Sequence, residues 1–444
     1  MESMHGPQHR TLLPPDHPER LRLAEEVHAR PPEALETPSR ATYVAVLVDH
    51  EQRPRERAHL AQLCERSTVA PPAADAIHFS ADLGAVRLKW ERHGEFSGYT
   101  FFAAGRSPTP FSEPPAAMLP AQWMAGLPGT TIFAAHAKLI PIGDEEPNAN
   151  FLAAHFNGNM AVGAEIGGGA GLAFTDFRIH DDGFARFLVL DRRLTPRQAG
   201  RMMQRLFEIE TYRMMALLAL PLAREQSQRL VAIERSLATL TDDIARRGAD
   251  DESLLQQLTR LAAEVESGLA LSQFRFGACR AYHDLVITRI SELRELRLPG
   301  IQTIEEFMVR RFIPAAATCA STSQRLHELS ERVAQASALL STRVDIARER
   351  QNQILLESMN HRAKLQLRLQ QTVEGLSVAA IVYYVVGLVG YLSKALKAAG
   401  LHFNSDLAVG IAIPVVAGLV IWAVRRAHRK IFSELEPGAA KHDP

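Results

Sequence analysis

Two uninterrupted apolar runs dominate the pattern of hydrophobic and polar positions along the chain. They are residues 375–393 (GLSVAAIVYYVVGLVGYLS) and 407–424 (LAVGIAIPVVAGLVIWAV), and neither run contains a charged residue. An α-helix rises about 1.5 Å per residue. In helical form, the length of each run therefore matches the thickness of the hydrocarbon core of a bilayer. The pattern therefore predicts two membrane-spanning helices joined as a hairpin.

Basic residues flank this pair of spans and predict its orientation. Three basic residues precede the first span: Arg362, Lys364 and Arg368. Four follow the second span: Arg425, Arg426, Arg429 and Lys430. The connection between the spans carries only Lys394 and Lys397 against Asp406. By the positive-inside rule, we expect a multi-pass protein of the cell's plasma membrane with both termini in the cytoplasm.

Short apolar or alternating runs, separated by turn residues, predict β-strands in the first half of the chain. The predicted strands are 43–48, 77–80, 85–91, 97–102, 131–140, 150–157, 175–180 and 184–190. The sequence Asp181-Asp182-Gly183 predicts a hairpin turn between the last two. Helices are predicted at 54–66 and from Pro196, with Thr195 as its N-cap, to about residue 219. Residues 1–220 are thus expected to form a mixed α+β cytoplasmic domain, with an irregular loop at 105–130.

From residue 221 to 371 the apolar positions recur every three and four residues, as in a coiled coil. The repeating positions are Leu230, Ile233, Leu237, Leu240, Ile244, Leu254, Leu258, Leu261 and Val265. We expect a helical stalk whose first two helices run antiparallel about a turn at 246–250, followed by a third helix at about 270–297. A last helix enters the membrane at Gly375. The predicted domains are therefore 1–220, the stalk 221–371, the transmembrane hairpin 372–430 and a cytoplasmic tail 431–444.

Composition and charge narrow the possible partners. The chain has 50 basic residues (Lys and Arg) and 50 acidic residues (Asp and Glu), so its formal net charge is zero. Because nucleic-acid binding usually requires an excess of basic residues, no nucleic-acid partner is expected. The cysteines Cys64, Cys279 and Cys319 are far apart, which argues against a disulfide framework or a zinc site. The first thirty residues have no apolar core of a secretory signal, so no cleaved signal is expected.

No motif of the chain indicates catalysis. The glycine cluster at 163–171 lacks the lysine of a phosphate-binding loop, and a strand is expected after it rather than a helix. Glu91 and Glu95 are interpreted as a solvated face or a charge ladder of a strand. His180, Asp181 and Asp182 could ligate a metal, but the sequence Asp-Asp-Gly is first of all typical of a turn. The expectation is a protein that is not an enzyme and has no cofactor or metal.

The interiors of the spans carry residues suited to helix packing. Tyr383 and Tyr384 lie near the middle of the first span, where a phenol needs a hydrogen-bond partner. Small residues that allow close approach are expected to pack in the hairpin or between chains: Gly387, Gly390, Gly410, Pro414 and Gly418. Since neither span contains a charged residue or a histidine, the groups used by proton relays are missing.

Four segments resemble a bacterial family of membrane-anchored proteins whose shared domain has no assigned function. They are LPPDHPERLRLAEEVHARPPEAL (13–35), LKWERHGEFSGYTFF (88–102), EIETYRMMALLALPLARE (208–225) and TVEGLSVAAIVYYVVGLVGYLSKAL (372–396). The resemblance covers nearly the whole chain. It implies an integral membrane protein and supplies no catalytic residue.

The predicted architecture is also similar to that of CorA-type magnesium channels. That family carries Gly-Met-Asn at the end of its first span, whereas residues 390–394 here read Gly-Tyr-Leu-Ser-Lys. The sequence therefore favours a non-enzymatic protein that self-associates in the lipid bilayer. A CorA-like ion channel or transporter without the motif is the alternative, and an enzyme that uses residues 163–182 is a third class. The subunit number and any small-molecule or ion ligand stay open.

Overall fold

A mixed eight-stranded sheet forms the centre of the first part of the molecule. The computed structural model describes residues 14–21, 23–24, 31–143, 147–246, 250–399 and 405–434. The chain divides into two units, Met1–Ala338 and Leu339–Pro444. The strands of the sheet are β1 (Ser39–Leu47), β2 (His78–Asp82), β3 (Arg87–Arg92), β4 (Phe96–Ala104), β5 (Thr130–Pro141), β6 (Val162–Ile166), β7 (Gly171–Thr175) and β8 (Ala185–Asp191).

The strand order is β2-β3-β4-β1-β5-β8-β7-β6, and every neighbouring pair is antiparallel except β5 and β8, which are parallel. A parallel pair needs a crossover connection, whereas antiparallel neighbours can be joined by short turns. Residues 142–184, which include β6 and β7, form that connection between β5 and β8. The result is an α/β sheet domain in the first part of the chain, where the sequence predicted a mixed α+β domain.

Helices cover both faces of this sheet. On one face, α1 (Arg53–Arg66) packs Leu60 and Leu63 against Val44, Trp90 and Phe101. Helix α2 (Ala149–His155) contributes to a second apolar cluster, with β7 and β8. The long connection between β4 and β5 contains only two short 3-10 turns, Pro115–Met118 and Met124–Gly126, as expected for an irregular loop.

Helix α3 (Pro196–Leu217) packs on the opposite face. Its first turn is closed by a capping box: Thr195 Oγ1 accepts from the Gln198 backbone N, and the Gln198 side chain accepts from the Thr195 N. Phe207 stacks on Tyr43 of β1, with ring centroids 4.8 Å apart. Gly200 is required here, because a Cβ at this position would lie 1.6 Å from the Glu33 carbonyl oxygen.

Further helices follow α3 along the chain. They are α4 (Ala219–Ala245), α5 (Asp251–Leu293), α6 (Ile304–Arg311) and α7 (Ile313–Ala398). Helix α5 contacts both α3 and α4. The predicted apolar repeat is buried from Leu230 to Leu240 and from Leu254 to Val265, while Ile244 is half-buried. Arg325 of α7 donates to Glu234 of α4 at 2.9 Å. Burial of the repeat shows helix packing, and supercoiling of these helices stays a prediction.

Three predicted elements differ from those observed. Residues 150–157, expected as a strand, lie largely in α2, because Asn148 Oδ1 accepts from the Phe151 backbone N and starts a helix. The helix predicted to begin near 270 is part of α5, which passes through the buried Gly268 without a break. Residues 176–180 leave the sheet before the Asp181–Gly183 turn. The predicted turn at 246–250 and tail at 431–444 lie partly outside the described residues.

The second unit contains the end of α7 and helix α8 (Ser405–Glu434). Helix α7 is continuous through the first predicted span, and α8 contains the second one with Pro414 inside it. Residues 431–434, assigned to the tail from the sequence, are the last turn of α8. Residues 400–404, in the predicted connection between the spans, lie outside the described residues.

His136 of β5 is a buried titratable group in the sheet. It is 4 % exposed, its Nδ1 lies 3.1 Å from Thr42 Oγ1, and its ring stacks on Phe184 at 4.0 Å. Burial and the positive charge of Arg186 outweigh the nearby Asp182 and lower the pKa of His136 to about 4.

This lowered pKa predicts a loss of stability in mild acid. The unfolded chain protonates His136 near pH 6.5, whereas the folded chain does so only near pH 4. As pH falls through this window, the unfolded state gains the proton first, so the free energy of unfolding decreases by about 3 kcal/mol. Denaturant unfolding of the wild type and of His136→Asn at pH 7 to pH 4 measures this.

The His136→Asn variant should lose this part of the pH dependence. The matched control is His78→Asn on the edge strand β2, where the residue is exposed. We expect the control to retain the acid sensitivity of the wild type. Parallel pH profiles for wild type and His136→Asn would contradict the assignment.

Candidate functional site

The apolar segments of α7 and α8 are the first candidate, because the sequence predicted them as spans. Both helices are long and apolar enough to cross a membrane. None of the residues in the most apolar 18-residue stretch of either helix is buried inside the chain. Leu376, Leu388 and Trp422, for example, are 73 %, 68 % and 58 % exposed. A core helix of a soluble protein buries its apolar side chains, so this exposure favours contact with lipid.

The two tyrosines of the first span are on this exposed surface. The rings of Tyr383 and Tyr384 meet edge to face, with centroids 5.8 Å apart. Both line an open groove of about 960 Å³, together with Gly387 and Gly390 and with Val409, Ile413 and Ala417 of α8. The structure thus brings together four of the seven residues predicted to pack in the membrane. A Cβ at Gly390 would lie 3.6 Å from Val409 Cγ2, so α8 reaches α7 at this glycine.

The remaining small residues face open space within the chain. A Cβ at Gly387, Gly410 or Gly418 would meet no described atom within 4 Å. Pro414 lies inside α8 without ending it. These positions leave room for close approach of another helix, and their packing stays a prediction.

A partly buried polar network forms a second candidate, between the sheet, α3 and α5. Lys89 Nζ lies 3.0 Å from Glu91 Oε1 and donates to Gln204 Oε1 at 3.0 Å. Gln204 Nε2 donates to Glu208 Oε1 at 2.7 Å. Arg289 of α5 then bridges Glu208 and Glu292, and Arg205 donates to Glu292 at 2.8 Å. The alternating charges compensate one another across three layers of structure.

This polar network has no room for a substrate. The adjoining cavity measures about 20 Å³, which is enough for one water molecule. Burial raises the pKa of Tyr43 well above its usual range, and burial with Glu208 does the same for Tyr212. Both phenols therefore keep their protons at neutral pH. Since each charge already has a partner, we interpret the network as a structural one that stabilises the packing of α3 and α5 on the sheet.

Glu91 and Glu95 were expected on a solvated face or in a charge ladder, and both are engaged in ion pairs. Glu91 is 8 % exposed, because α3 covers this face of the sheet. Glu95 accepts from both terminal nitrogens of Arg275, at 2.6 and 3.1 Å. The sequence signal for Glu91 was its alternation with the buried Leu88 and Trp90. That alternation shows that Glu91 lies on the opposite face of the strand, but not whether water or a helix covers that face.

The glycine cluster forms a hairpin turn. Gly167, Gly168 and Gly169 have φ of 62°, 69° and 83° and connect β6 to β7. A Cβ at Gly163 would lie 2.4 Å from the Ala173 carbonyl oxygen of the neighbouring strand. The cluster therefore follows the prediction of positive φ and close backbone approach, with a strand after it.

The other candidate ligands are engaged locally. His180 Nε2 lies 2.9 Å from Asp176 Oδ2, and Asp182 Oδ2 accepts from Arg186. Among the described residues there is no group of three or more metal-ligating side chains. Cys64, Cys279 and Cys319 are buried free thiols, at 0 %, 4 % and 1 % exposure. A hydrogen bond from Cys319 is the main cause of a lowered pKa at Cys279, so α5 and α7 bring these two thiols together.

Comparison with known proteins supports the resemblance seen in the sequence. A family model described as "Protein of unknown function (DUF3422)" matches residues 15–431. No curated protein and no solved structure matches the chain, so the architectural likeness to CorA-type channels is unsupported. Because the family match covers nearly all of the residues, the chain belongs to DUF3422, a family of proteins of unknown function.

Proposed function

We propose that this protein is a non-enzymatic integral membrane protein that self-associates through its two spans. In this proposal α7 and α8 cross the bilayer as an antiparallel hairpin, and both termini are cytoplasmic. The observation that carries the proposal is the exposure of the two apolar stretches. It is supported by the contact of Gly390 with Val409 and by the open surface at Gly387, Gly410 and Gly418.

Self-association follows from the chemistry of this surface. Helices in lipid attract one another by close van der Waals packing at small residues and by interhelical hydrogen bonds. Gly387 and Gly418 allow the close packing, and the exposed hydroxyls of Tyr383 and Tyr384 can donate the interhelical hydrogen bonds. A second copy of the same hairpin presents matching small residues, and closed symmetric association is the usual outcome for identical chains.

The test is the molar mass of the detergent-solubilised full-length protein, measured by light scattering. We expect an oligomer for the wild type and a shift toward monomer for Gly387→Ile/Gly418→Ile, because the added side chains hold the helices apart. The matched control is Gly277→Ile on α5, where a Cβ also meets no described atom within 4 Å. A monomeric wild type at micromolar concentration would refute self-association.

Orientation is tested separately with single cysteines on a background without native cysteines. Cysteines at Arg362 and Arg429 should react with a membrane-impermeant maleimide only after the membrane is opened. A cysteine at Lys397 should react in intact cells. The opposite labelling pattern would reverse the proposed orientation, and equal labelling of all three sites would exclude a hairpin.

A further inference from the structure

A cleft lined by arginines lies on the first unit, and its lining includes no residue of the polar network. Its walls come from β6, the segment after β7, the end of α3 and the region of α6. The volume is about 550 Å³, within the range of small-molecule sites. We call it the arginine cleft after its four guanidinium groups: Arg178, Arg213, Arg310 and Arg311.

Three of these arginines are available for a ligand. Arg178, Arg310 and Arg311 are exposed, and no carboxylate of the described residues forms an ion pair with them. Arg213 is bound through Nε and Nη2 to both oxygens of Glu210, at 2.6 and 2.7 Å, which leaves its Nη1 for another partner. Guanidinium groups on several walls of one cleft are suited to an oxyanion, which they bind through paired N–H donors.

The carboxylate that lines the cleft cancels only part of this charge. Asp176 accepts from Asn159 Nδ2 at 2.9 Å and from the Arg178 backbone N at 3.2 Å, and it lies 2.9 Å from His180 Nε2. It is therefore occupied in holding the turn after β7. Four guanidinium charges against the carboxylates of Asp176 and Glu210 leave two positive charges, which match one dianion.

An aromatic pair forms an apolar part of the same cleft. The ring of Phe177 stacks on that of Phe307 of α6, with centroids 4.3 Å apart and planes at 16°. Phe177 has φ of 55°, a left-handed conformation that is unfavourable for a bulky residue and is held by Thr175 Oγ1, which accepts from its backbone N. Met160, 87 % exposed, adds a further apolar surface.

We propose that the arginine cleft binds a phosphate monoester that carries an apolar or aromatic group. At neutral pH such a phosphate has a charge between about −1.5 and −2, which matches the two uncompensated positive charges. The phosphate oxygens accept from Arg310, Arg311 and Arg178, and the organic group contacts Phe177 and Phe307. The shared chemistry is found in nucleotides and in lipid headgroups.

Calorimetric titration of the detergent-solubilised full-length protein tests this proposal. The probes are AMP, dihexanoyl phosphatidic acid, inorganic phosphate and succinate. We expect AMP or the phosphatidic acid to bind more tightly than inorganic phosphate, and the tighter of the two identifies the source. Arg310→Ala/Arg311→Ala should weaken its binding about 10- to 100-fold, because two charge-assisted hydrogen-bonding groups are lost.

The matched control is Arg197→Ala/Arg201→Ala, which removes the same charge from exposed positions of α3 outside the cleft. It should bind the probe with wild-type affinity. A single Arg178→Gln variant, expected to bind several-fold more weakly, gives a second measurement if the double variant does not fold. The proposal is overturned by no binding of any phosphate probe, by wild-type affinity of the cleft variants, by equal weakening in the control, or by succinate binding as tightly.

Discussion

Replacing Arg53 with alanine should lower the free energy of unfolding by about 3–5 kcal/mol, because it leaves a buried carboxylate without its counter-charge. The carboxylate belongs to Glu56, which is 1 % exposed. Its Oε1 accepts from Trp90 Nε1 at 3.1 Å and from Tyr99 Oη at 2.9 Å, and its Oε2 lies 3.2 Å from Arg53 Nη1.

Arg53 also connects α1 to β4 and to the turn between β3 and β4. Its Nη1 donates to Ser97 Oγ at 2.7 Å, and its Nη2 donates to the His93 carbonyl oxygen at 3.0 Å. Its removal therefore leaves polar partners unpaired as well as a charge. Denaturant unfolding of the full-length protein, followed by tryptophan fluorescence, measures the effect, since Trp90 and Trp123 both lie in this core.

Two variants separate the buried charge from a general effect of losing an arginine. Arg55→Ala changes an exposed residue of the same helix and should shift stability by about 0.5 kcal/mol at most. Adding Glu56→Gln to Arg53→Ala removes the uncompensated charge and should recover part of the loss. If Arg55→Ala and Arg53→Ala destabilised the protein equally, the buried ion pair would not be the cause.

Placing an arginine in the middle of the first apolar segment is the second change with a large expected effect. Val385→Arg should disfavour insertion of that segment by about 3–4 kcal/mol, because a central arginine is unfavourable in hydrocarbon whereas valine is favourable. The measurement is the fraction of protein that stays in the membrane pellet after alkaline carbonate extraction. We expect the wild type to stay in the pellet and the variant to be released or degraded.

The control for this substitution lies in the same helix. Leu367→Arg changes a 56 % exposed leucine of α7 that precedes the apolar segment. It adds the same charge outside the hydrocarbon, so retention should match that of the wild type. Release of the wild type itself by carbonate would contradict integral membrane insertion.

Much of the sheet was predictable because its signals are local. Thr195-Pro196 places the start of α3, and Gly183 places the turn before β8. The alternation of Leu88 and Trp90 with polar residues identifies β3 as a strand. The apolar runs of α7 and α8 were equally clear, because composition and length alone determine whether a helix can span a bilayer.

What was missed depends on residues that are distant in sequence. The burial of Lys89 and Glu91 requires α3, more than a hundred positions later, to cover their face of the sheet. The arginine cleft contains Arg178 and Arg310, which are distant in sequence, and neither residue belongs to a recognisable motif. Asn148 could have indicated helix α2, since it is a strong N-cap residue, but the apolar residues after it also fit a short strand.

The three buried thiols can serve as native probes of local unfolding in the wild-type chain. A thiol reacts with an alkylating reagent only when the structure around it opens, so each labelling rate gives the free energy of that opening. Cys64 reports on the packing of α1 against the sheet, whereas Cys279 and Cys319 report on the contact of α5 with α7. Comparing the rates in one sample shows whether the sheet and the helices of the first unit open as one cooperative body or as two.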